Sequence, residues 1–343
     1  MKATVFNRYG GPEVLSIREI SELSPGPRDV VVEVRAAALN HLDVWVRRGR
    51  PGMKITMPHV PGSDASGVVA EVGAEAGSVK IGDEVIINPS FFCGKCEFCL
   101  RGEQSECVTF GILGMSAPGT FAQKVVVPAK NVYPKPRHLD FIAAAALPLS
   151  HQTAWRMLMS RAVLRCGETV LIHGIGGGVA LAALQIANQA GACIIATSSS
   201  DEKLGRAAKM GADHTINYKT SDVVARVREI TGGRGVDVSF NAVGASAWPI
   251  DFEVLRKGGR IVICGVTTGA EVSTNLSQLY SRQIAIFGST MGSSEDFRLM
   301  LKTVDENKLA PVVDSIYSLY DVVAASEKME AGQQFGKIIL SVS

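Results

Sequence analysis

The feature that most constrains the fold is a series of six apolar segments in the second half of the chain, each separated from the next by a helix-like segment. The segments read ETVLIH, ACIIATS, DHTINY, VDVSFNAV, GRIVICGV and QIAIFGST. Strands that are apolar throughout and linked by helices belong to a parallel sheet covered by helices on both faces. The pattern therefore predicts a doubly wound α/β domain over residues 131–308.

A glycine-rich turn lies between the first of these segments and the helix-like stretch VALAALQIANQA. The turn contains Gly174, Gly176, Gly177 and Gly178, and Val179 follows them. Glycine lets the backbone turn tightly and approach a pyrophosphate, which then faces the positive end of the helix. Between an apolar strand and a helix, such a turn indicates a dinucleotide-binding site. A tight turn without a ligand is the alternative.

The end of the second apolar segment indicates which dinucleotide is bound. A site for NAD usually carries an acid there, which holds the ribose 2′-hydroxyl. Here the segment ends at Ser198 and Ser199, Lys203 is close behind, and Tyr218 follows the third segment. Hydroxyl groups and a cation suit a 2′-phosphate, so the sequence favours NADP(H). The alternative for Lys203 is an ordinary solvated lysine on a helix.

The first part of the chain, residues 1–130, has a different rhythm. Short segments rich in Val and Ile, such as VVVEVRAAAL, SGVVAEVG and FAQKVVVP, are broken by Gly and Pro. This pattern predicts an irregular β-rich unit. A strand-like segment, GKIILSV, returns near the end of the sequence. Residues 309–343 are therefore expected to rejoin the first unit.

Four cysteines fall within one short segment, residues 93–107. Four thiolates close a tetrahedral Zn²⁺ and leave no position for water or substrate, which is the property of a structural site. An iron–sulfur motif with a similar start has a shorter last gap followed by proline, whereas Val108 follows here. The segment therefore predicts a lobe held by one structural zinc, with four ligands: Cys93, Cys96, Cys99 and Cys107.

Composition and charge exclude several other classes of protein. Lys and Arg number 35 and Asp and Glu 33, a net charge of +2, so no broad surface for nucleic acid or anionic membrane is expected. The apolar runs are too short to cross a membrane, and the first residues lack the apolar core of a signal peptide. We therefore expect a cytoplasmic protein. In that compartment the isolated cysteines are expected to be small buried side chains rather than disulfide partners: Cys166, Cys193 and Cys264.

Together these features resemble the medium-chain dehydrogenase/reductase superfamily over essentially the whole chain. The resemblance implies a GroES-like catalytic domain joined to a Rossmann nucleotide-binding domain, with the active site in the cleft between them. The zinc alcohol dehydrogenases of this superfamily carry a four-cysteine lobe like this one and a second, catalytic zinc. The ligands of that zinc are a Cys after the third strand, the His-Glu of a Gly-His-Glu motif and a further Cys near the domain junction.

The catalytic-zinc ligands are absent from each matching position of this sequence. AALNHLD has Asn40 for the first Cys, VPGSDASG has Ser63 and Asp64 for His-Glu, and LPLSHQTAW has Leu149 for the later Cys. These stretches resemble the quinone oxidoreductase and enone reductase branch, which uses no catalytic zinc. The glycine turn and the residues after the second and third strands also resemble the NADPH site of that branch. The four-cysteine lobe is the departure from it, so the chain combines features of both.

The resemblance also implies roles for individual residues. Asn40 and Asp43 would shape the cleft beside the nicotinamide, where Asp64 also falls, and His41 or Ser63 would donate a hydrogen bond to the substrate oxygen. For these residues a purely structural role, such as fixing a turn or filling space, is the alternative. The residues expected to contact the cofactor are Thr153, Val243, Gly265, Val266, Ser289 and Lys337.

Without a catalytic metal, the chemistry of the acceptor becomes decisive. Reduction of a simple ketone gives an alkoxide, a strong base that zinc normally stabilises. Reduction of an enone or a quinone gives a delocalised enolate or phenolate, for which hydrogen-bond donors suffice. We therefore expect an NADP(H)-dependent reductase of quinones, enones or related small carbonyls. Pairing through the edge strand QIAIFGS would give a homodimer, and a homotetramer is equally compatible.

Two other functions stay open. An alcohol dehydrogenase or ketone reductase would need bulky aromatic ketones with polarised carbonyls, or an unorthodox catalytic zinc held by His41, Asp64 and His151. A non-catalytic NADPH-binding protein is the third hypothesis. The loops around Arg47 to Met57 and Thr267 to Tyr280 are expected to determine the substrate.

Overall fold

The computed structural model of the protein describes residues 1–49 and 55–342, within which seventeen strands and eleven α-helices form. The strands are β1 (Lys2–Val5), β2 (Ser16–Glu19), β3 (Asp29–Ala38), β4 (Asp64–Val72), β5 (Glu84–Ile87), β6 (Ser90–Phe91), β7 (Gly111–Ile112), β8 (Lys124–Pro128), β9 (Val132–Pro134), β10 (Thr169–Ile172), β11 (Cys193–Ser198), β12 (His214–Asn217), β13 (Val236–Asn241), β14 (Leu255–Ile263), β15 (Ala285–Gly288), β16 (Val313–Ser318) and β17 (Lys337–Ser341). The helices are α1 (His41–Arg48), α2 (Glu97–Leu100), α3 (Phe141–Ala145), α4 (Pro148–Trp155), α5 (Gly178–Gln189), α6 (Asp201–Lys209), α7 (Val223–Ile230), α8 (Trp248–Val254), α9 (Leu276–Ser281), α10 (Ser294–Glu306) and α11 (Val322–Glu330).

The chain divides into two compact units. The first comprises Met1–Leu149 together with Ser293–Ser343, and the second comprises Ser150–Gly292. Both junctions differ from the sequence-based boundaries because α3 and α10 pack inside the first unit. The Phe297 ring of α10 lies 4.7 Å from the ring of Tyr133, and alanines of α3 pack against those of β3. The second unit is therefore shorter than the apolar pattern suggests.

The sheet of the second unit has the predicted doubly wound form. Its six strands are parallel and run in the order β12-β11-β10-β13-β14-β15. Leu171, Ile195 and Ile261 of this sheet are completely buried, and each such side chain contributes about 1.5 to 3 kcal/mol by leaving water. All six apolar segments form the strands that were expected of them. The carboxyl ends of the strands consequently lie along one edge.

The first unit is built on a mainly antiparallel sheet in the order β16-β17-β3-β4-β5-β9, with β8 also paired to β3. The returning tail supplies β16 and β17, and β17 runs antiparallel to β3 with Ile339 opposite Ala38. Phe6, Leu39 and Phe121 lie in the core beneath this sheet. Two short pairs, β1 with β2 and β6 with β7, complete the β-structure. The pairing of β17 with β3 brings the tail beside α1.

The helices are short and several are capped by side chains. Asp140, Ser200, Asp222 and Ser293 each accept a backbone N–H in the first turn of α3, α6, α7 and α10 respectively. The 13-residue α10 is longer than the others, and no helix within the described ranges is long and apolar enough to cross a membrane.

One expectation about the isolated cysteines is wrong. Cys166 is exposed, whereas Cys193 and Cys264 are partly buried. The reason is local, because Cys166 lies in the turn that precedes β10 rather than in the strand itself. Burial raises the pKa of Cys264 to about 12, as expected for an inert internal thiol.

Candidate functional site

The glycine-rich turn connects β10 to α5 at the carboxyl edge of the parallel sheet. Gly174 and Gly176 have φ angles of 67° and 129°, which residues with side chains rarely adopt. A Cβ placed on Gly177, the residue before α5, would meet nothing within 4 Å. Gly178 and the half-buried Val179 begin the helix. The turn thus offers a helix N-terminus with open space over it, which fits a pyrophosphate.

The residues expected at the 2′-phosphate lie at the ends of the neighbouring strands β11 and β12. Ser198 ends β11, and its carbonyl accepts a hydrogen bond from the backbone N–H of Tyr218 at 3.1 Å. Ser199 is half-buried and Tyr218 is exposed. A Cβ on Gly176 would lie 3.0 Å from Cδ of Lys203, so the lysine stem lies against the glycine turn. The structure therefore brings these side chains to one edge.

One acid at this edge was missed in the sequence. Asp201 is exposed at the start of α6, and its Oδ1 accepts a hydrogen bond from Nδ2 of Asn217 at 2.7 Å. The available signal was its position three residues after Ser198. Acids are common in the first turn of a helix because they interact favourably with the positive end of the helix dipole. In the sequence, Asp201 therefore looked like an ordinary helix-capping residue. Its presence bears on the choice between NAD and NADP.

The residues expected near the nicotinamide follow the next three strands of the sheet. Val243 follows β13, Gly265 and Val266 follow β14, and Ser289 follows β15, and all are half-buried. The Ser289 hydroxyl oxygen is buried and has no hydrogen-bond partner among the residues that the structure describes. Because the carboxyl ends of parallel strands share one edge, these residues lie on the same edge of the sheet as the glycine turn.

Thr153 lies on α4 and is buried. Its hydroxyl donates a weak hydrogen bond to the sulfur of Met291 at 3.8 Å. The hydroxyl oxygen still has lone pairs that can accept a further bond. A contact between Thr153 and the cofactor therefore stays a prediction.

The predicted zinc ligands come together in the first unit. Their sulfur atoms all lie within 4.8 Å of one another, and the sulfurs of Cys93 and Cys99 are 3.9 Å apart. A tetrahedral zinc with Zn–S bonds of about 2.3 Å requires sulfurs about 3.8 Å apart. The arrangement fits a closed structural site formed by Cys93, Cys96, Cys99 and Cys107.

Backbone N–H groups donate hydrogen bonds to the sulfur of Cys107 and favour its thiolate form. The N–H groups of Cys93 and Thr109 donate to Sγ of Cys107 at 3.3 and 3.4 Å. Burial opposes ionisation, but these hydrogen bonds prevail and lower the pKa of Cys107 to about 6. Burial raises the pKa of Cys99 to about 12, a shift that a bound dication would reverse. The sulfurs are thus arranged for metal binding rather than for independent chemistry.

Asn40 and Asp64, at two of the positions where the resemblance expects catalytic-zinc ligands, belong to a buried polar cluster with Lys337. Asn40, Asp64 and Lys337 are 7%, 0% and 4% exposed. Nζ of Lys337 donates to Oδ1 of Asn40 and, at 3.0 Å, to Oδ2 of Asp64. Nδ2 of Asn40 donates to the same Asp64 oxygen at 2.9 Å, and the other accepts the N–H of Leu149 at 2.8 Å. The cation enclosed by these residues is therefore a lysine ammonium.

The ammonium of Lys337 is engaged inside the first unit. Its contact with the cofactor from the tail stays a prediction. Lys337 begins β17, and the pairing of β17 with β3 brings it to Asn40, 297 positions away in the chain. A buried carboxylate such as that of Asp64 requires a nearby cation. That requirement accounts for the burial of the lysine.

Asp43 lies beside this cluster on α1 and is 8% exposed. Its Oδ2 accepts the backbone N–H of Asn40 at 2.7 Å, which caps the helix. Its Oδ1 has no hydrogen-bond partner within the described ranges. Burial raises the pKa of Asp43 to about 7, and the Asn40 amide and the charge of Lys337 oppose that rise. This carboxyl group therefore holds a proton well into the neutral range.

His41 and Ser63 were both predicted to donate to a substrate oxygen. Ser63 is completely buried and donates its one hydroxyl hydrogen to the carbonyl of Leu113 at 2.7 Å, so that hydrogen is engaged inside the unit. His41 is half-buried at the start of α1, with its ring 6.2 Å from that of Trp45. Burial lowers the pKa of His41, helped by Lys337 and opposed by Glu330. The imidazole is therefore neutral at pH 7.

The rearranged zinc site was proposed on His41, Asp64 and His151. His151 lies in the second unit, and its Nε2 hydrogen-bonds Oε1 of Gln185 at 3.1 Å. Asp64 is engaged by the lysine ammonium in the first unit. Among the described residues, the four cysteines are the one group of three or more His, Cys, Asp or Glu side chains close enough to hold a metal ion.

The two loops expected to determine the substrate are only partly described. Residues 50–54 of the first loop lie outside the described residues. The second loop contains α9, whose side chains Leu276 and Tyr280 are 69% and 73% exposed. Their role in substrate choice stays a prediction.

Comparison with known families gives two matches. Residues 26–137 match the family model of the alcohol dehydrogenase GroES-like domain, and residues 178–306 match the family model of zinc-binding dehydrogenases. The first match covers most of the β-rich part of the first unit, and the second covers α5 and the strands that follow it. The two matches therefore correspond to the two kinds of structure in the chain.

Individual proteins resemble the chain over nearly its whole length. It is 33% identical to a zinc-type alcohol dehydrogenase-like protein of Schizosaccharomyces pombe, over 94% of this chain and 92% of that protein. It is 29% identical to the quinone oxidoreductase of Homo sapiens, over 99% of this chain and 97% of that protein. The crystal structure of an NAD-dependent alcohol dehydrogenase has a TM-score of 0.96 and 43% identity, with both chains covered completely.

Proposed function

Because the chain belongs to the medium-chain dehydrogenase/reductase superfamily, whose members are oxidoreductases, we propose that it reduces quinones, enones or related carbonyls with NADPH and without a catalytic zinc. The observation that carries this proposal is the cluster of Asn40, Asp64 and Lys337. Its lysine ammonium is bonded to Asn40 and Asp64, two residues at positions where the resemblance expects catalytic-zinc ligands.

The donor chemistry of this cluster disfavours zinc. Catalytic zinc is bound by imidazole, thiolate and carboxylate groups, whereas Asn40 offers an amide and Leu149 only a backbone N–H, which is itself a donor. A Zn²⁺ ion at Asp64 would also have to displace the ammonium of Lys337 or remain beside it. Leaving either charged partner buried alone would destabilise the unit by about 3 to 5 kcal/mol.

The chemistry that remains suits a conjugated acceptor. When bound, NADPH supplies the hydride. Negative charge then develops on the carbonyl oxygen of the substrate, and in an enone or a quinone it is delocalised, so that a neutral hydrogen-bond donor can stabilise it. We assign this role to His41, whose lowered pKa keeps it neutral, since the hydroxyl of Ser63 is engaged by Leu113.

The cofactor preference is proposed from the edge formed by β11 and β12. Ser198, Ser199, Lys203 and Tyr218 supply hydroxyl groups and a cation, which suit a 2′-phosphate. Asp201 carries a charge that would repel such a phosphate, although its hydrogen bond from Asn217 holds one carboxylate oxygen toward β12. NADPH is therefore the preferred cofactor, and NADH is the alternative that Asp201 favours.

A zinc determination combined with an acceptor panel tests the proposal. Zinc per chain is measured by elemental analysis on protein purified with zinc present, and activity is measured with NADPH on quinones, enones and saturated ketones. One zinc per chain with activity on conjugated acceptors is the expected result. Two zinc ions per chain, or activity restricted to saturated ketones and alcohols, would refute it.

The second candidate is an alcohol dehydrogenase or ketone reductase. It is favoured by the 43% identity to the NAD-dependent alcohol dehydrogenase of known structure. That candidate requires either a second zinc or bulky aromatic ketones with polarised carbonyls as substrates. The zinc determination measures the first, and adding alcohols with NAD and aromatic ketones with NADPH to the panel measures the corresponding activities. A non-catalytic NADPH-binding protein would bind the cofactor and turn over none of the acceptors.

We further propose a homodimer or a homotetramer. β15 lies at the edge of the six-stranded sheet, and its Ile286 is 37% exposed. A second copy pairing there would cover an open strand edge that otherwise invites non-specific association. Light scattering coupled to size-exclusion chromatography gives the oligomeric state, and a monomer would contradict this assignment.

A further inference from the structure

A buried carboxylate in the second unit has no role in the site described so far. Asp251 on α8 is 0% exposed. Three side chains donate to it: Nε2 of His173 at 2.9 Å, the hydroxyl of Ser239 at 2.5 Å and Nδ2 of Asn241 at 2.7 Å. A carboxylate removed from water is strongly disfavoured unless such donors surround it. The cluster is therefore a fully hydrogen-bonded network at the carboxyl ends of β10 and β13.

Asp251 determines how the Asn241 side chain is oriented. A carboxylate only accepts hydrogen bonds, so the amide must present its NH₂ group to Asp251 and its oxygen to the other side. That oxygen accepts the backbone N–H groups of Val243 and Gly244, at 3.0 and 2.8 Å. The carboxylate thus fixes, through one intervening amide, the backbone of the turn that follows β13.

The same network reaches the glycine-rich turn. His173, which donates to Asp251, directly precedes Gly174. A Cβ placed on Gly174 would lie 2.7 Å from Cγ1 of Val243, so the two turns are in close contact. One of these turns is expected to hold the pyrophosphate and the other the nicotinamide half of the cofactor. Asp251 therefore connects, through His173 and Asn241, the chain segments that lead into both turns.

We propose that Asp251 is a positioning residue that sets the affinity for the nicotinamide half of the cofactor by fixing the turn at Val243 and Gly244 against the turn at Gly174. This inference rests on the proposed binding of a nicotinamide dinucleotide. A rigid turn loses no conformational entropy when the cofactor binds, whereas a turn released from Asn241 must be ordered at that moment. Asp251 itself contacts no part of the cofactor in this proposal.

A matched control lies at the other end of β13. Asp237 is 1% exposed and accepts hydrogen bonds from Arg234, Arg256 and the backbone N–H of Thr169. It is a buried and multiply bonded carboxylate like Asp251, but it lies at the amino end of the strand, away from both turns. A purely structural effect of losing a buried carboxylate should therefore appear equally in Asp237→Asn and Asp251→Asn.

The experiment compares equilibrium binding of two ligands by calorimetry. NADPH carries both halves of the cofactor, and 2′,5′-ADP carries the adenosine half alone. Breaking a buried hydrogen-bond network that orders a turn should weaken NADPH binding to Asp251→Asn about 10-fold. Binding of 2′,5′-ADP to this variant should change less than about 2-fold. Asp237→Asn should bind both ligands as the unaltered protein does.

A reciprocal exchange provides a rescue. In the double variant Asp251→Asn with Asn241→Asp, the amide at 251 donates to the carboxylate at 241, which still accepts the N–H groups of Val243 and Gly244. The carboxylate cannot replace the bond of 3.2 Å that Nδ2 of Asn241 donates to the carbonyl of Gly244. NADPH affinity should therefore recover most of the loss and return to within about 3-fold of the original. Asn241→Ser removes the acceptor for the turn but keeps Asp251 bonded to His173 and Ser239. It should reproduce the loss specific to NADPH, and it replaces Asp251→Asn if that variant does not fold.

The outcomes separate this inference from the proposed function. If the unaltered protein binds 2′,5′-ADP but not NADPH, or neither, the proposed function fails and this inference with it. If it binds NADPH and the Asp251 or Asn241 variants bind NADPH equally well, only the positioning role is overturned. An equal loss for both ligands, or the same loss in Asp237→Asn, also overturns it, because Asp251 would then be merely structural.

Discussion

Replacement of Asp43 by Asn should remove a large part of the pH dependence of stability of the first unit. Asp43 is buried and caps α1 through Oδ2, which accepts the N–H of Asn40. An Asn side chain can make the same cap through its own oxygen. The substitution therefore preserves shape and hydrogen bonding, and it removes only the ability to ionise.

The direction and the size follow from the pKa of Asp43. Burial raises it from 3.8 to about 7, so between these pH values the folded protein binds more protons than the unfolded chain does. The free energy of unfolding contributed by this group is fully present below pH 3.8 and is lost as the pH rises through 7. At about 1.4 kcal/mol per pKa unit, the total loss is about 4 kcal/mol, of which about 2.5 kcal/mol falls between pH 5 and pH 8.

The assay follows urea unfolding by the fluorescence of Trp45, which lies in the first unit. Trp155 and Trp248 lie in the second unit and are replaced by Phe in every protein compared. The free energy of unfolding is measured at pH 5, 6, 7 and 8 for this parent and for Asp43→Asn. Asp140→Asn is the control, because that carboxylate also caps a helix, by accepting the backbone N–H of Ala143 at the start of α3, but is exposed.

The parent should lose about 2.5 kcal/mol more than Asp43→Asn between pH 5 and pH 8, and Asp43→Asn should be the more stable of the two at pH 8. His41, His59 and Cys107 also have shifted pKa values, but they are common to both proteins and cancel in the difference. Parallel pH profiles for the two proteins would refute the reasoning, since they would mean that Asp43 is ionised in the folded state.

Three further predictions concern the cluster, the zinc lobe and the cofactor. Lys337→Met leaves the buried carboxylate of Asp64 without its cation. It should lower the free energy of unfolding of the first unit by about 3 to 5 kcal/mol in the same urea assay. A change below about 1 kcal/mol would contradict the burial of the pair formed by Lys337 and Asp64. Cys107→Ser should reduce zinc from one per chain to none in elemental analysis, whereas Cys166→Ser, at an exposed site outside the cluster, should retain it. Lys203→Met should raise KM for NADPH about 10-fold without changing KM for NADH. Lys209 is exposed on the same helix, and Lys209→Met should change neither KM value. Equal effects of Lys203→Met on both cofactors would remove the argument for NADP.

The parts of the fold that could be predicted are those encoded by neighbouring residues. The six apolar segments could be recognised because each is one continuous run of apolar residues, and they form the sheet β12-β11-β10-β13-β14-β15. The glycine turn and the four cysteines are likewise local, since a tight turn and a closed metal site each require particular residues at short, fixed spacing. The gathering of the cysteine sulfurs within 4.8 Å agrees with that reasoning.

The parts that could not be predicted depend on contacts between distant residues. Lys337 meets Asn40 across 297 positions, and Asp251 meets His173 across 78. Nothing in the sequence around Lys337 or Asp251 separates it from an ordinary solvated lysine or helix aspartate. The role of each residue can be recognised only in the folded chain, where it is buried beside a group of opposite charge or beside hydrogen-bond donors.

The same contrast explains how a chain can keep one metal position of the zinc alcohol dehydrogenases while replacing the other. Cys99 and Cys107 are buried in a lobe with only short secondary-structure elements, so we expect the order of that segment to depend on the bond between its ligands and a metal. At the other position, β3, β4 and β17 hold Asn40, Asp64 and Lys337 together through the sheet itself. There a lysine ammonium can balance the buried carboxylate in place of a metal ion, and the scaffold survives the exchange. Under the proposed function, loss of the catalytic ligands alters the chemistry without unfolding the unit, whereas loss of a lobe ligand would remove the interaction expected to order the lobe.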